Sequence, residues 1–114
     1  MKTIYEERPW GHFERFTLNE QTTVKLLYLN AGHRLSYQYH NKRSEFWRVV
    51  KGKVKITING RNKILSEGGS ASVPVKAKHR IQGLKDSIIL EIDRGHFNEK
   101  DNVRLLDDYN RHRV

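Results

Sequence analysis

The chain contains no cysteine among its 114 residues. This absence excludes disulfides, zinc–thiolate sites and thiol nucleophiles, and it agrees with a reducing cytosol. No apolar stretch approaches the length of a membrane span. The first residues also lack the apolar run and the small-residue cleavage site of a signal peptide. We therefore expect a cytoplasmic protein that has no membrane partner.

Acidic residues are few relative to basic ones, 13 against 22, which gives a formal net charge of +9. Such an excess favours anionic partners, of which a phosphorylated metabolite and nucleic acid are the two main kinds. The basic residues do not cluster, since Lys51, Lys53 and Lys55 stand singly between other residues, as on the solvated face of a strand. No nucleic-acid-binding motif is present. We therefore expect a small phosphorylated molecule and no nucleic acid as the partner.

A long helical pattern is also missing, and the periodicity is that of strands. Val54, Ile56 and Ile58 alternate with polar residues, and Asn59–Gly60 follows at once as a two-residue hairpin turn. About eight or nine short runs of this kind predict an all-β sandwich or barrel. We expect one domain over residues 1–114, with a short helical or irregular tail over 99–111.

Four polar side chains in two short stretches form a candidate metal site. Gln38 and His40 are two residues apart, so they point to the same face of a strand. A polar turn over 41–44 lets Glu45 return on a neighbouring strand, opposite His40. His79 must come from a distant strand, which a barrel would bring close. Considered singly, each of these residues is more often an ordinary surface residue than a metal ligand.

Together, two imidazoles, a carboxylate and an amide oxygen suit one divalent metal ion. Zinc is our first expectation, and manganese, iron, cobalt and nickel also accept this ligand set. A site with four protein ligands can leave a position for water or substrate, and an open position distinguishes a catalytic from a structural centre.

The spacing of these residues resembles the two cupin motifs. The first motif is matched by Gly32, His40, Glu45 and Gly52, with Gln38 in place of the first histidine. The second motif is matched by Gly68, Pro74 and His79, whereas Lys76 and Gly83 replace a glycine and an asparagine. This resemblance implies a single cupin barrel, that is, a jelly roll or double-stranded β-helix.

A narrower resemblance covers nearly the whole chain. The stretches Ser36–His40 and Arg43–Trp47, together with Arg8–Gly11 and the closing segment from Glu91, are similar to the cupin domain of type II phosphomannose isomerases. In bifunctional members this domain follows a mannose-1-phosphate guanylyltransferase domain, which we do not find here. We therefore expect that this chain alone does not synthesise nucleotide sugars.

This family resemblance implies an enzyme that interconverts mannose 6-phosphate and fructose 6-phosphate through a metal-stabilised enediol. It also implies a homodimer, because small cupins often dimerise by sharing strands. Departures at Asn41, Lys42 and Phe46 favour an alternative. In that alternative, the chain is a non-catalytic cupin that binds a sugar phosphate or nucleotide sugar and acts with a separate enzyme.

The isomerase function requires a base and cations. Glu91 interrupts an apolar strand and is our candidate base, with orientation of a ligand histidine as its equally weighted alternative. Arg80 follows His79 and is the candidate catalytic cation, although its parity is opposite to that of His79. Substrate contacts are expected from Arg34 and Ser36, which share the face of Gln38, and from Arg43 in the turn. An alternative for Arg43 is a surface ion pair.

Overall fold

The computed structural model describes residues 3–109, and within this range the chain folds into strands without a helix. The strands are β1 (Ile4–Arg8), β2 (Gly11–Arg15), β3 (Thr22–Leu29), β4 (Tyr37–Tyr39), β5 (Arg43–Lys51), β6 (Lys53–Ile58), β7 (Arg61–Ser66), β8 (Ser70–Val73), β9 (His79–Gly83), β10 (Ser87–Gly95) and β11 (Val103–Leu106). Residues 3–109 therefore contain no helix that could cross a membrane.

Two antiparallel sheets carry most of these strands. One sheet has the order β3-β10-β5-β8 and the other has the order β11-β4-β9-β6-β7. Consecutive strands often lie in different sheets, as in a jelly roll. The inward residues of both sheets form one apolar core. It consists of Leu29, Trp47, Val49, Val54, Ile56, Leu65, Val73, Ala77, Ile81 and Ile89.

The alternating pattern of the sequence correctly predicts which residues of β6 face this core. Val54 and Ile56 are 1% and 3% exposed, whereas Lys53 and Lys55, which alternate with them, are only partly buried. The predicted hairpin turn is also present. Asn59 and Gly60 both have positive φ, at 49° and 80°, which is the backbone of the tight turn that matches strand twist. The register then pairs Ile58 with Arg61.

The hairpin of β1 and β2 forms a separate two-stranded sheet. Phe16, which directly follows β2, contacts the body of the protein, and its ring centroid lies 5.6 Å from that of Phe46. The hairpin is also held by Arg48, which donates two hydrogen bonds of 2.9 and 3.0 Å to the Glu14 carboxylate. These contacts bury Phe46 on the outer side of β5, where strand alternation alone would expose it.

Two expectations about the elements are wrong. The tail is neither helical nor wholly irregular, because β11 pairs antiparallel with β4 and satisfies backbone groups at that edge. Residues 110 and 111 of the expected tail lie outside the described residues. Secondly, Glu45 does not return on a strand that pairs with that of His40. β5 pairs with β10 and β8 in the other sheet, so the two side chains meet across the core.

Candidate metal centre

Three predicted ligands converge between the two sheets. His40 follows β4 directly, His79 begins β9, and Glu45 extends inward from β5 in the opposite sheet. All three residues are buried, with exposures of 2%, 3% and 5%. The register of β4 against β9 pairs Gln38 with His79, which brings the two motif stretches together.

The distances within the cluster are short. His40 Nε2 lies 2.7 Å from Glu45 Oε2, and His79 Nε2 lies 3.5 Å from the same oxygen. Trp47 Nε1–H donates a 3.0 Å hydrogen bond to Glu45 Oε1, which fixes the orientation of the carboxylate. Oε2 is thereby directed at the two imidazoles.

Backbone carbonyls determine which imidazole nitrogen carries the proton. His40 Nδ1–H donates to the carbonyl of Asp101 and His79 Nδ1–H donates to that of Ala77, each at 2.8 Å. Because a carbonyl only accepts, both protons of the neutral rings lie on Nδ1. Each Nε2 then presents a lone pair to Glu45. These carbonyls play the part of the groups that orient ligand histidines in metal sites.

The donor set fits a cation. Two Nε2 lone pairs and a carboxylate oxygen face one another in a buried space, and His79 Nε2 has no hydrogen-bond partner. Such a cluster requires a positive charge, supplied by a metal or by protons. Burial raises the pKa of the Glu45 carboxyl, but when protons supply this positive charge, the Nε2–H groups of His40 and His79 outweigh burial and hold that pKa below its ordinary value.

The amide of the predicted fourth ligand has the opposite orientation to the one expected. Gln38 Oε1 accepts a 2.5 Å hydrogen bond from the Ser36 hydroxyl, and its Nε2 lies 3.4 Å from His40 Nε2. An amide nitrogen is not a metal ligand, so Gln38 joins the set only after a half-turn of its amide. After that rotation, the Ser36 hydroxyl would lie beside the amide nitrogen of Gln38. In either orientation Ser36 is buried at the site, in contact with Gln38.

A pair of acids on β10 lies beside the cluster. The carboxylates of Glu45, Glu91 and Asp93 offer oxygens within 4.8 Å of one another. Burial and the negative charge of Glu45 raise the pKa of Glu91 above its ordinary value. Burial, together with the negative charges of Glu91 and Glu45, raises the pKa of Asp93 to about 8. The two carboxyl groups therefore hold a proton near neutral pH.

Arg43 is the cation between these acids. Its Nε lies 3.8 Å from Glu45 Oε2 and 3.6 Å from Asp93 Oδ1, and the side chain is 3% exposed. Its Nη2 lies 3.3 Å from His40 Nε2. Arg43 is thus an inward residue of β5, and the expectation that it lies in a turn is wrong. The alternative of a surface ion pair is wrong for the same reason.

A polar cavity of about 210 Å³ adjoins the cluster. Its lining includes Ser36, Gln38, Arg43, Glu45 and Glu91 among the predicted site residues. It also includes Lys25, Glu99, Asn102 and Arg104, which were not predicted as site residues. Lys25 Nζ lies 3.2 Å from Glu91 Oε2. Along β3, Lys25 alternates with the exposed Val24 and Leu26 and therefore points inward. This alternation of a lysine with apolar residues is the sequence signal that could have identified Lys25 as a site residue.

Glu91 faces this cavity, whereas Asp93 is fully buried and is absent from the lining. The alternative role of Glu91, orientation of a ligand histidine, does not match the contacts. The Nδ1 atoms of both histidines are bonded to carbonyls, and the ion-pair partner of Glu91 is Lys25.

Two predicted arginines lie away from the cluster. Arg80 is on the outward side of β9, where its guanidinium donates to the carbonyls of Leu35 and Leu106 at 2.9 and 3.2 Å. Arg34 pairs with Asp108 through bonds of 2.6 and 2.9 Å. The expectation that Arg34 shares the face of Ser36 is wrong, because 35–36 is not regular strand and the alternation is lost. Both arginines line a different surface groove.

The two facing sheets and the His, His and Glu donor set define the chain as a cupin. The fold is similar to that of oxalate decarboxylase from Bacillus subtilis, with a TM-score of 0.66 and 26% identity over 75% of this chain and 24% of that one. It is also similar to a cupin sugar phosphate isomerase from Silicibacter pomeroyi, with a TM-score of 0.61 and 21% identity over 67% and 52% of the two chains.

Residues 2–108 match the family described as Mannose-6-phosphate isomerase C-terminal, and the chain belongs to this family. It is 36% identical over 107 residues to the mannose-1-phosphate guanylyltransferase ManC of Salmonella typhimurium. It is 31% identical over 103 residues to the alginate biosynthesis protein AlgA of Pseudomonas aeruginosa. These matches cover 91% and 89% of this chain but only 22% and 21% of the relatives, so the chain spans about a fifth of their length.

Proposed function

We propose that this cupin is a metal-dependent aldose–ketose isomerase that interconverts mannose 6-phosphate and fructose 6-phosphate. The observation that carries the proposal is the buried His40, Glu45 and His79 cluster, which opens on a cavity lined by an acid and by cations. Family membership supports the choice of substrate. A cavity of about 210 Å³ is smaller than most ligand pockets, which suits one small polar molecule.

His40, Glu45 and His79 would hold the ion through Nε2, Oε2 and Nε2, with Gln38 as a fourth ligand after rotation of its amide. A bound divalent metal would act as a Lewis acid that polarises a substrate oxygen. Zinc is our first expectation for this nitrogen and oxygen set, and manganese, iron, cobalt or nickel would also fit.

Glu91 is the proposed base. Its carboxylate takes the proton from C2 of the open-chain aldose and returns it to C1, while a hydroxyl proton moves between O2 and O1 through the enediol. A base must lie close to the carbon acid, and Glu91 faces the cavity. The raised pKa makes Glu91 a stronger base than an ordinary glutamate. Asp93, behind it, would exchange the proton with Glu91.

Cations of the cavity would bind the phosphate of the substrate. Lys25 and Arg104 line the cavity from β3 and β11, which belong to opposite sheets. The Nε of Arg43 lies 3.8 Å from Glu45 and 3.6 Å from Asp93, so we assign Arg43 to positioning of these acids. Arg80 has no part in this mechanism, because it lies on the outward face of β9.

The test is turnover of mannose 6-phosphate by purified protein with a defined metal content. We expect Glu91→Gln to lower kcat by about 10²- to 10⁴-fold, as for loss of a general base. The exposed Glu67→Gln is the matched control and leaves kcat unchanged. Chelation should abolish turnover, and addition of zinc should restore it. Full turnover by the metal-free protein would overturn the proposal.

Thermal unfolding, measured together with turnover, distinguishes the proposed isomerase from the alternative, a cupin that binds a sugar phosphate without converting it. If mannose 6-phosphate raises the unfolding temperature of the metal-loaded protein but no hexose phosphate is converted, the chain binds and does not catalyse. Because a ligand of the native state stabilises it by mass action, binding is visible without turnover.

A further inference from the structure

The outer face of the five-stranded sheet carries a groove that the proposed isomerase reaction does not use. The groove has a volume of about 310 Å³. Most of the side chains that line it end in a polar or basic group, although much of the lining surface is apolar; they include Arg34, Tyr37, Lys55, Thr57, Arg80 and Gln82. Strand alternation separates it from the metal centre. On β9, His79 and Ile81 face inward, whereas Arg80 and Gln82 face this groove.

Arg80 is the unusual residue of this groove. It is 9% exposed, and within residues 3–109 no carboxylate oxygen lies within 4.0 Å of its guanidinium nitrogens. Two of its N–H groups donate to the carbonyls of Leu35 and Leu106, which satisfies hydrogen bonds without neutralising the charge. A buried cation without a directly paired anion is unfavourable, so this position favours an anion from outside.

The neighbours of Arg80 add charge and donors in a fixed arrangement. In the register of β6 against β9, Thr57 lies opposite Arg80 and Lys55 lies opposite Gln82. Arg34 forms a bridge with Gln82, so its cation reaches the same groove from the side. The groove thus combines three cations with hydroxyl and amide groups. Two acids act on Arg80 through their charge, namely Asp108, which is paired with Arg34, and the buried Asp107.

We propose that this groove is a second site, which binds a phosphate group on the outer face of the sheet. Lys55 and Arg80 supply the charge, and because Nε and Nη2 of Arg80 already donate to carbonyls, Nη1 is the group that would donate to a phosphate oxygen. Gln82 and Asn62 supply neutral amide donors, and the Asn62 Oδ1 accepts a 2.7 Å hydrogen bond from the Thr57 hydroxyl. The ligand is either free phosphate or the phosphate of a small metabolite. The site is independent of the metal centre, so it would serve to regulate or recruit and not to catalyse.

Titration of the metal-free protein with inorganic phosphate, followed by amide shifts in NMR spectra, tests this site. We expect shifts in the outward residues of β6 and β9, and we expect Lys55→Gln to weaken binding by about tenfold or more, as for loss of a charge-assisted hydrogen bond. Lys63→Gln removes an equal charge from a different surface of the same sheet and is the matched control. Repetition with mannose 6-phosphate distinguishes the two sources of phosphate.

Several outcomes would overturn this second site. Shifts confined to residues around Lys25 would place phosphate in the cavity of the metal centre alone, and Lys25→Gln would then abolish them. If chloride at matched ionic strength caused the same amide shifts as phosphate, the shifts would reflect screening of surface charges by salt and not a phosphate site. Equal weakening by Lys55→Gln and Lys63→Gln would show a general effect of net charge. Salt-sensitive binding of RNA without a phosphate response would also exclude it. None of these outcomes bears on turnover at the metal centre.

Discussion

Two backbone carbonyls determine the chemistry of the two buried histidines. The carbonyls of Asp101 and Ala77 each accept the Nδ1 proton of one imidazole, which leaves both Nε2 lone pairs directed at Glu45. The same side chains with the other tautomer would direct N–H groups into the cluster and repel a metal ion. At the scale of the residue, the convergence of His40, Glu45 and His79 could be predicted from the sequence, but the tautomers could not, because they depend on backbone groups of other segments.

The acid pair of β10 predicts an unusual dependence of stability on pH in the metal-free protein. Asp93 has a pKa of about 8 in the folded state against 3.8 as its ordinary value. The folded state therefore binds more protons than the unfolded state between these values. The free energy of unfolding then falls as pH rises from about 4 to 8, by at most about 1.4 kcal/mol per pH unit for one group.

Asp93→Asn removes this titration, so the variant should gain stability relative to the native protein as pH rises from 5 to 8. Urea unfolding at each pH in the presence of a chelator measures the difference. The exposed Glu67→Gln is the control, and its curve should run parallel to that of the native protein. A parallel curve for Asp93→Asn would contradict the raised pKa.

At the scale of the element, the sequence was most informative where a strand has one buried face. The alternation in β6 and the turn at Asn59–Gly60 predicted their elements correctly, because burial and positive φ each require particular residues locally. β11 was missed because its partner, β4, has only three residues and its pairing is non-local. The assignment of Arg34 failed because the regular alternation ends at 35–36.

The glycines of two turns should differ in their tolerance of alanine. Gly60 has φ +80° and open space around an added Cβ, so Gly60→Ala should cost only the backbone strain, about 1–2 kcal/mol. At Gly52, with φ +96°, an added Cβ would lie 2.6 Å from the backbone oxygen of Asp86. Gly52→Ala should therefore cost the same strain and a further 1–3 kcal/mol or so of overlap. Urea unfolding of both variants makes the comparison, and equal losses would contradict it.

At the scale of the whole molecule, the expectation of a homodimer remains a prediction, and one edge of the protein is where we would test it. β3 is the edge strand of its sheet, and its outward residues Val24, Leu26 and Tyr28 are 58%, 51% and 72% exposed. A long edge strand with an exposed apolar face readily pairs with another chain. A second copy that packs the outward face of its own β3 against this stripe would cover it.

Leu26→Glu should convert a dimer into a monomer, because the new carboxylate would be buried without a partner in such an interface. Light scattering coupled to size-exclusion chromatography measures the mass. Ile64→Glu is the matched control, because Ile64 has a similar exposure and lies on β7, an edge strand of the five-stranded sheet. This variant should leave the mass unchanged. A monomeric native protein, or dissociation by Ile64→Glu alone, would contradict the choice of β3.

The carbonyl that fixes His40 belongs to Asp101, 61 residues further along the chain. The carboxylate of Asp101 also accepts from the backbone N–H groups of Asn41 and Lys42, at 2.9 Å each, so this late segment clamps the region that follows β4. During synthesis on the ribosome, a nascent chain shorter than this point contains His40, Glu45 and His79 but lacks the clamp. The two histidines therefore reach their final arrangement only after the segment around Asp101 has been synthesised.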